Sequence, residues 1–137
     1  MSAIPIYWLL MLLASLTGVQ PPPDVPRDVM ALVTTYPQDG SNVAAYWCGA
    51  GIGPIDPWCP SGRSIKAGDI TISDRLWRNP RLMQHAATHE VGHLTCGADE
   101  YCAEAYACKW VPMISTAYDM HCRMDGKLYT ADGSSYR

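Results

Sequence analysis

The stretch HAATHEVGHLTCGADEYCAEAYA, residues 85–107, holds three of the chain's four histidines and all three of its glutamates, Glu90, Glu100 and Glu104. Within it, His89-Glu90-Val91-Gly92-His93 has the form H-E-x-x-H. On a helix, histidines at i and i+4 project their imidazoles to one point, a two-coordinate seat for Zn²⁺. Glu90 would lie beside such a metal, turned too far round the helix to ligate it well. It is placed to take a proton from a metal-bound water, whose pKa zinc lowers to about 7. Two histidines and a glutamate could equally be ordinary helix-face residues. Here they sit on the apolar stripe of their helix, where unpartnered polar groups are costly to bury.

A catalytic zinc takes three protein ligands and keeps one position open. The third can come from Asp99, from Glu100 one place later, or from Glu104 a helical turn beyond. Other polar residues carry weaker signals. His85, one turn before His89, reads as a surface histidine, with a place behind a ligand or against substrate as the alternative. His121, Tyr106 and Tyr118 could stabilise an oxyanion if their segments fold over the metal. The plainer expectation for each is a structural or solvent-facing side chain.

Two helices have to position these groups. Asn79 can cap the first, Pro80 suits its first helical position and Gly97 its C-terminal end. Asp99 can cap a second helix that runs to Val111 and stops at Pro112. So short a connection makes the second helix fold back or turn sharply, which brings the two faces together. Upstream, PRDVMALVTTYP suggests a further helix with Val29, Met30, Leu32, Val33 and Tyr36 on its apolar face. SNVAAYWC reads as a strand, the Gly- and Pro-rich residues 49–62 as a loop, and GDITIS as a half-buried strand. The C-terminal DGKLYTADGSSYR reads as turns or a short hairpin.

Six cysteines, Cys48, Cys59, Cys96, Cys102, Cys108 and Cys122, point to disulfides in an oxidising compartment. None has the C-x-x-C spacing of a structural zinc knuckle. Cys48 is expected to cinch the loop with Cys59. Cys102 and Cys108 lie six residues apart on one helix, about 9 Å along its axis, too far for a bridge. Each then pairs with Cys96 or Cys122, and Cys96–Cys102 with Cys108–Cys122 is the preferred pairing.

Residues 4–16 are almost continuously apolar, yet shorter than the roughly 20 needed to span a bilayer. They fit the hydrophobic region of a secretory signal, although no Lys or Arg precedes them. An uncleaved membrane anchor is the main rival. A buried N-terminal helix is disfavoured by Pro5 and Pro21-Pro22-Pro23. The expected organisation is therefore a signal peptide or anchor over 1–18, a Pro-rich linker over 19–27 and one catalytic domain over 28–137. A chain of 137 residues, 48% hydrophobic and 17% charged, has room for one modest core. Its net charge of −3, with no basic cluster, makes nucleic acid an improbable partner. Contact with a membrane is expected only if the N-terminal segment is retained.

H-E-x-x-H defines the zincin metallopeptidases. The run Glu100-Tyr101-Cys102-Ala103-Glu104-Ala105-Tyr106-Ala107, with Trp110-Val111-Pro112, resembles the second helix of ImmA/IrrE-type zincins and related small secreted or phage-borne peptidases. Their pattern is a glutamate, two residues, Ala, then Asp or Asn, with an aromatic residue and Ala two and three places on. DITISDRLW resembles the strand that precedes their active-site helix. The likeness covers residues 70–112, under a third of the chain. It implies an α+β zincin-like domain, a short twisted sheet packed on the H-E-x-x-H helix with a second ligand-bearing helix. It also implies one catalytic Zn²⁺ held by His89, His93 and Glu100, with Glu90 as general base and a peptide or protein as substrate. Glu104, where the family has Asp or Asn, would orient a ligand histidine. A weaker resemblance, to metzincin-like small secreted proteases with H-E-x-x-H-x-x-G-x-x-D, would make Asp99 the third ligand. Cys96 stands at that motif's glycine. Two other functions fit the same residues: an exported zinc-binding module without turnover, and a zinc amidase acting on cell-wall peptides.

Overall fold

The computed structural model describes residues 3–36, 45–48, 69–117 and 120–135. It is a small α+β domain. In chain order, β1 (Ile4–Pro5) and α1 (Ile6–Thr17) precede β2 (Met30–Thr34), β3 (Ala45–Trp47) and β4 (Ile70–Ser73). A 3₁₀ turn at Asp74–Arg78 leads into α2 (Pro80–Cys96), followed by α3 (Glu100–Trp110). The strands β5 (Ser115–Ala117), β6 (Met120–Cys122) and β7 (Leu128–Thr130) close the order. One sheet runs β1-β2-β4-β3, with β2 and β4 parallel and both outer strands antiparallel to their neighbours. The second is the antiparallel meander β5-β6-β7.

The main core lies between the first sheet and two helices. Ala31 pairs with Ile70 and Val33 with Ile72, and these four share one face of the pleat. They join Ile6, Leu9, Leu10 and Leu13 of α1 and Met83, Ala87 and Val91 of α2 in a single buried cluster. Leu32 and Thr71 occupy the opposite face, where the Tyr36 hydroxyl donates to the Thr71 carbonyl at 2.9 Å. Both faces of β2 are thus covered.

That covering corrects the helix expected over PRDVMALVTTYP. A fully buried strand reads as a continuous apolar run, which periodicity alone cannot separate from a helix. The β-branched Val33, Thr34 and Thr35 were the better guide. The N-terminal segment also differs from expectation, since it packs as a helix into the core. Pro5 is the N-cap of α1, and Gly18 ends it in the left-handed conformation (φ 79°) before the proline run begins. The prolines flank the helix and leave its interior hydrogen bonds intact. Thr17 and the Val19 carbonyl are both bonded to Gln84 of α2. Among the described residues no helix is long and apolar enough to cross a membrane.

The disulfides pair as expected, Cys96 with Cys102 and Cys108 with Cys122, a chemistry that persists in oxidising compartments. Cys48 is disulfide-bonded. Its expected partner Cys59, the loop over 49–62, Tyr118 and the first half of SNVAAYWC lie outside the described residues. Within the C-terminal DGKLYTADGSSYR, a tight turn brings Ser135 back against Tyr129 of β7, while β7 pairs on its other side with β6 and packs on α3 through Cys108, Met120, Cys122 and Leu128.

Candidate metal centre

The caps that start and stop the two helices fix where the polar side chains stand. Asn79 accepts from the Leu82 N–H at 3.2 Å, and Pro80 follows as the first helical residue. Asp99 Oδ1 accepts from the N–H groups of Tyr101 and Cys102, at 3.0 and 3.1 Å, so this carboxylate caps α3. Between the caps, α3 folds back along α2 with Ala103 against Gly92. A Cβ at Gly92 would lie 3.0 Å from the Ala103 Cα, tighter than nearly all real contacts, so the facing backbone would have to give way. The glycine inside H-E-x-x-H lets the helices approach this closely, and the approach carries Glu100 and Glu104 to the histidines.

His89, Glu90 and His93 are all buried and form a group able to hold a metal ion, each with a ligand atom within 4.8 Å of the others. Glu100 completes the picture from α3. Its Oε2 lies 3.2 Å from His89 Nε2 and its Oε1 3.0 Å from His93 Nε2. Glu90 is further off, its Oε2 3.9 Å from His89 Nε2 and its Oε1 3.9 Å from His93 Nε2. By distance, Glu100 is therefore the better third donor, and Glu90 stands beside the point where the Nε2 atoms converge.

The far nitrogens of both rings are tied down. His93 Nδ1 donates to the Gly97 carbonyl at 2.6 Å. Because a carbonyl can only accept, Nδ1 carries a proton, and Nε2 is the nitrogen left to bind a metal. His89 Nδ1 faces Glu104 Oε1 at 3.2 Å, an arrangement that leaves Nε2 facing the cluster in the same way. Two imidazole nitrogens and a carboxylate thus face one another, a set that could hold a metal ion. The donor types, two imidazoles and a carboxylate, are those of a catalytic zinc site.

Charge acts in the same direction. Burial alone would lower the pKa of His89, but the hydrogen bond to Glu104 and the nearby Glu90 and Glu100 carboxylates raise it from 6.5 to about 9. Burial lifts Glu90 from 4.5 to about 7, although His89 and a hydrogen bond from the Trp47 backbone N–H pull the other way. Glu104 is opposed by burial too, yet hydrogen bonds from His85 and His89 hold it at about 2. Three carboxylates thus share the cluster with His89, and burial raises Glu90 to about 7. Trp47 also covers His93, ring stacked on ring with centroids 5.4 Å apart.

The structure therefore brings His89, Glu90, His93, Glu100 and Glu104 together, with Glu104 on the Nδ1 side of His89, away from the Nε2 atoms. Asp99 is engaged as a helix cap. Tyr106 donates its hydroxyl to Asp24 at 2.7 Å, and its pKa is raised, first by burial and then by that carboxylate. His121 lines a separate cavity of about 260 Å³ with Ile114, Arg123 and Thr130. The surface position expected for His85 is corrected: it is buried and bonded to Glu104. Reading the sequence also missed Trp47 and the close packing at Gly92. A glycine inside one helix and the small Ala103 on the next were the available signal for the latter. In comparisons with known proteins, no family model, no curated protein and no solved structure matches this chain.

Proposed function

We propose that this chain is a zinc-dependent metallopeptidase, with His89, His93 and Glu100 as metal ligands and Glu90 as general base. One observation carries the reading. Two histidine Nε2 atoms face the two oxygens of one carboxylate at 3.2 and 3.0 Å, while Glu90 waits 3.9 Å from both. A zinc ion held there supplies an acidified water and a Lewis acid for the substrate carbonyl. The protein's own part is to hold and move a proton. Glu90, with a pKa of about 7, is available at neutral pH both to accept a proton and to return it to the leaving amine. The Trp47 N–H bond holds that carboxyl in place. Export to an oxidising compartment goes with this reading, supported by the absence of any free cysteine among the described residues.

Elemental analysis of the oxidised protein tests the metal, and hydrolysis of unfolded proteins and short peptides tests the chemistry. The expected results are one zinc per chain, retained in Glu90→Gln and much weakened in Glu100→Gln. Turnover in Glu90→Gln should fall by about a hundred- to ten-thousandfold. A parent that takes up no zinc at neutral pH refutes the metal site. Zinc binding without hydrolysis of unfolded proteins, peptides or peptidoglycan would make this a binding module.

A further inference from the structure

His85 stands four residues before the H-E-x-x-H motif and is only 4% exposed. Both of its ring nitrogens are engaged. Nδ1 lies 2.9 Å from the Val111 carbonyl, and Nε2 lies 2.8 Å from Glu104 Oε1. That same oxygen lies 3.2 Å from His89 Nδ1. A continuous chain of contacts therefore runs from the end of α3, through His85 and Glu104, to the back of His89.

We propose that His85 is a positioning residue for the metal centre: it anchors Glu104 on the Val111 carbonyl, so that Glu104 fixes the ring orientation and tautomer of His89. The inference rests on the metal reading above. Its physical basis is the sharing of one carboxylate oxygen. Glu104 is 4% exposed, and without a second donor its Oε1 would keep His89 alone as a partner. A buried carboxylate held from one side only can rotate, and its rotation releases the His89 ring. The Val111 carbonyl is well suited to the far end of the chain, because the last carbonyls of a helix lack partners within it. One side chain thereby sets the spacing between α2 and the C-terminal end of α3 and, at the same time, the aim of a ligand. Outer hydrogen-bond partners of metal-bound histidines are known to act in this way.

The test uses the full chain with Zn²⁺ and Co²⁺ as probes, comparing His85→Gln with His85→Asn. The Gln amide nitrogen can replace Nε2 and still donate to Glu104, whereas the Asn amide reaches only the Nδ1 position. Zn²⁺ affinity, by competition with a chromophoric chelator, should stay within about threefold of the parent in His85→Gln and fall about ten- to a hundredfold in His85→Asn. The visible bands of the Co²⁺ form should shift in His85→Asn alone. Equal affinities and spectra in His85→Asn and the parent overturn the proposal and leave the metal reading standing. Equal loss in both variants, in proportion to lost thermal stability, overturns it in favour of a packing role. A parent that binds neither metal overturns both readings. Should His85→Asn fail to fold, nitrogen-15 NMR of the Zn²⁺-loaded parent decides. A slowly exchanging His85 Nε2–H together with His89 protonated at Nδ1 supports the relay, and a rapidly exchanging His85 Nε2–H overturns it.

Discussion

Gly92 and Ala103 meet backbone to backbone at the crossing of α2 and α3: a Cβ on Gly92 would stand 3.0 Å from the Ala103 Cα and 3.1 Å from its carbonyl oxygen. Gly92→Ala should therefore destabilise the fold. Alanine gains about 1 kcal/mol of helix propensity over glycine, but overpacking a rigid contact costs about 1–3 kcal/mol. The neighbour here is backbone and cannot swing aside, so the clash should win. Because α3 carries Glu100 and Glu104, zinc affinity should fall as well. Thermal melts of the metal-free protein and a chelator competition would check both, and a more stable Gly92→Ala would show that the crossing is looser than described.

Proton binding at the cluster gives the metal-free protein an unusual pH dependence. His89 titrates at about 9 when folded against 6.5 as an isolated group, and Glu90 at about 7 against 4.5. Between those limits the folded state holds protons that the unfolded chain has released, so stability falls as pH rises. The Glu90 contribution fades from pH 4.5 to about 7 and the His89 contribution from pH 6.5 to about 9. Glu104 has the opposite sign: its contribution is present above pH 4.5 and is lost as pH falls through about 2. Urea midpoints in the presence of chelator should decline from about pH 5 to about pH 9. On the proposed ligand set, zinc should oppose the trend, since it takes the place of the His89 proton and binds more tightly as that proton leaves. A metal-free midpoint that rises over this range would contradict the described electrostatics.

The two helices that carry the centre were legible because their limits are local. Asn79, Pro80, Gly97 and Asp99 act on neighbouring backbone groups, so residue type and position suffice to place them. His89, Glu90 and His93 were legible for the same reason, through their helical spacing. His85 was not, because what buries it comes from α3: Glu104 and the Val111 carbonyl, 19 and 26 residues away. A histidine's exposure depends on such distant partners, which spacing along one helix does not encode. The strand at Met30–Thr34 was misread because burial on both faces erases the two-residue alternation. The N-terminal helix was misjudged because proline opposes helix interiors, whereas Pro5 and the later prolines stand outside α1.

α1 invites a direct test of the leader expectation. Ile6, Leu9, Leu10 and Leu13 are completely buried in the main core. At about 1.5–3 kcal/mol for each such side chain, their loss removes about 6–12 kcal/mol, comparable with the whole stability of a small domain. A chain beginning at Val19 should therefore lose its cooperative thermal transition and its tertiary near-ultraviolet dichroism. A truncated chain that melts cooperatively and binds zinc like the parent would show α1 to be dispensable, as expected of a removed leader.

The Cys96–Cys102 bridge joins the last residue of α2, three places after His93, to the third residue of α3, two places after Glu100. Both cysteines are half-exposed, whereas Cys108 and Cys122 are buried. Glu100 is the most exposed member of the cluster, its side chain 38% accessible, so it depends on α3 being held in register. Replacing Cys96 and Cys102 together by serine should cost about 2 kcal/mol, the chain-entropy value for so short a loop. On the proposed ligand set it should also weaken zinc binding, because the first turn of α3, which carries Glu100, is freed. Replacing Cys108 and Cys122 should cost more stability, about 3 kcal/mol for their longer loop, with zinc affinity little changed. Mild thiol treatment should reproduce the first pattern before the second, because the half-exposed bridge is reached first. Denaturation curves set beside zinc titrations of the two double variants separate the effects. Parent-like zinc affinity in the Cys96/Cys102 variant would mean that Glu100 needs no covalent support.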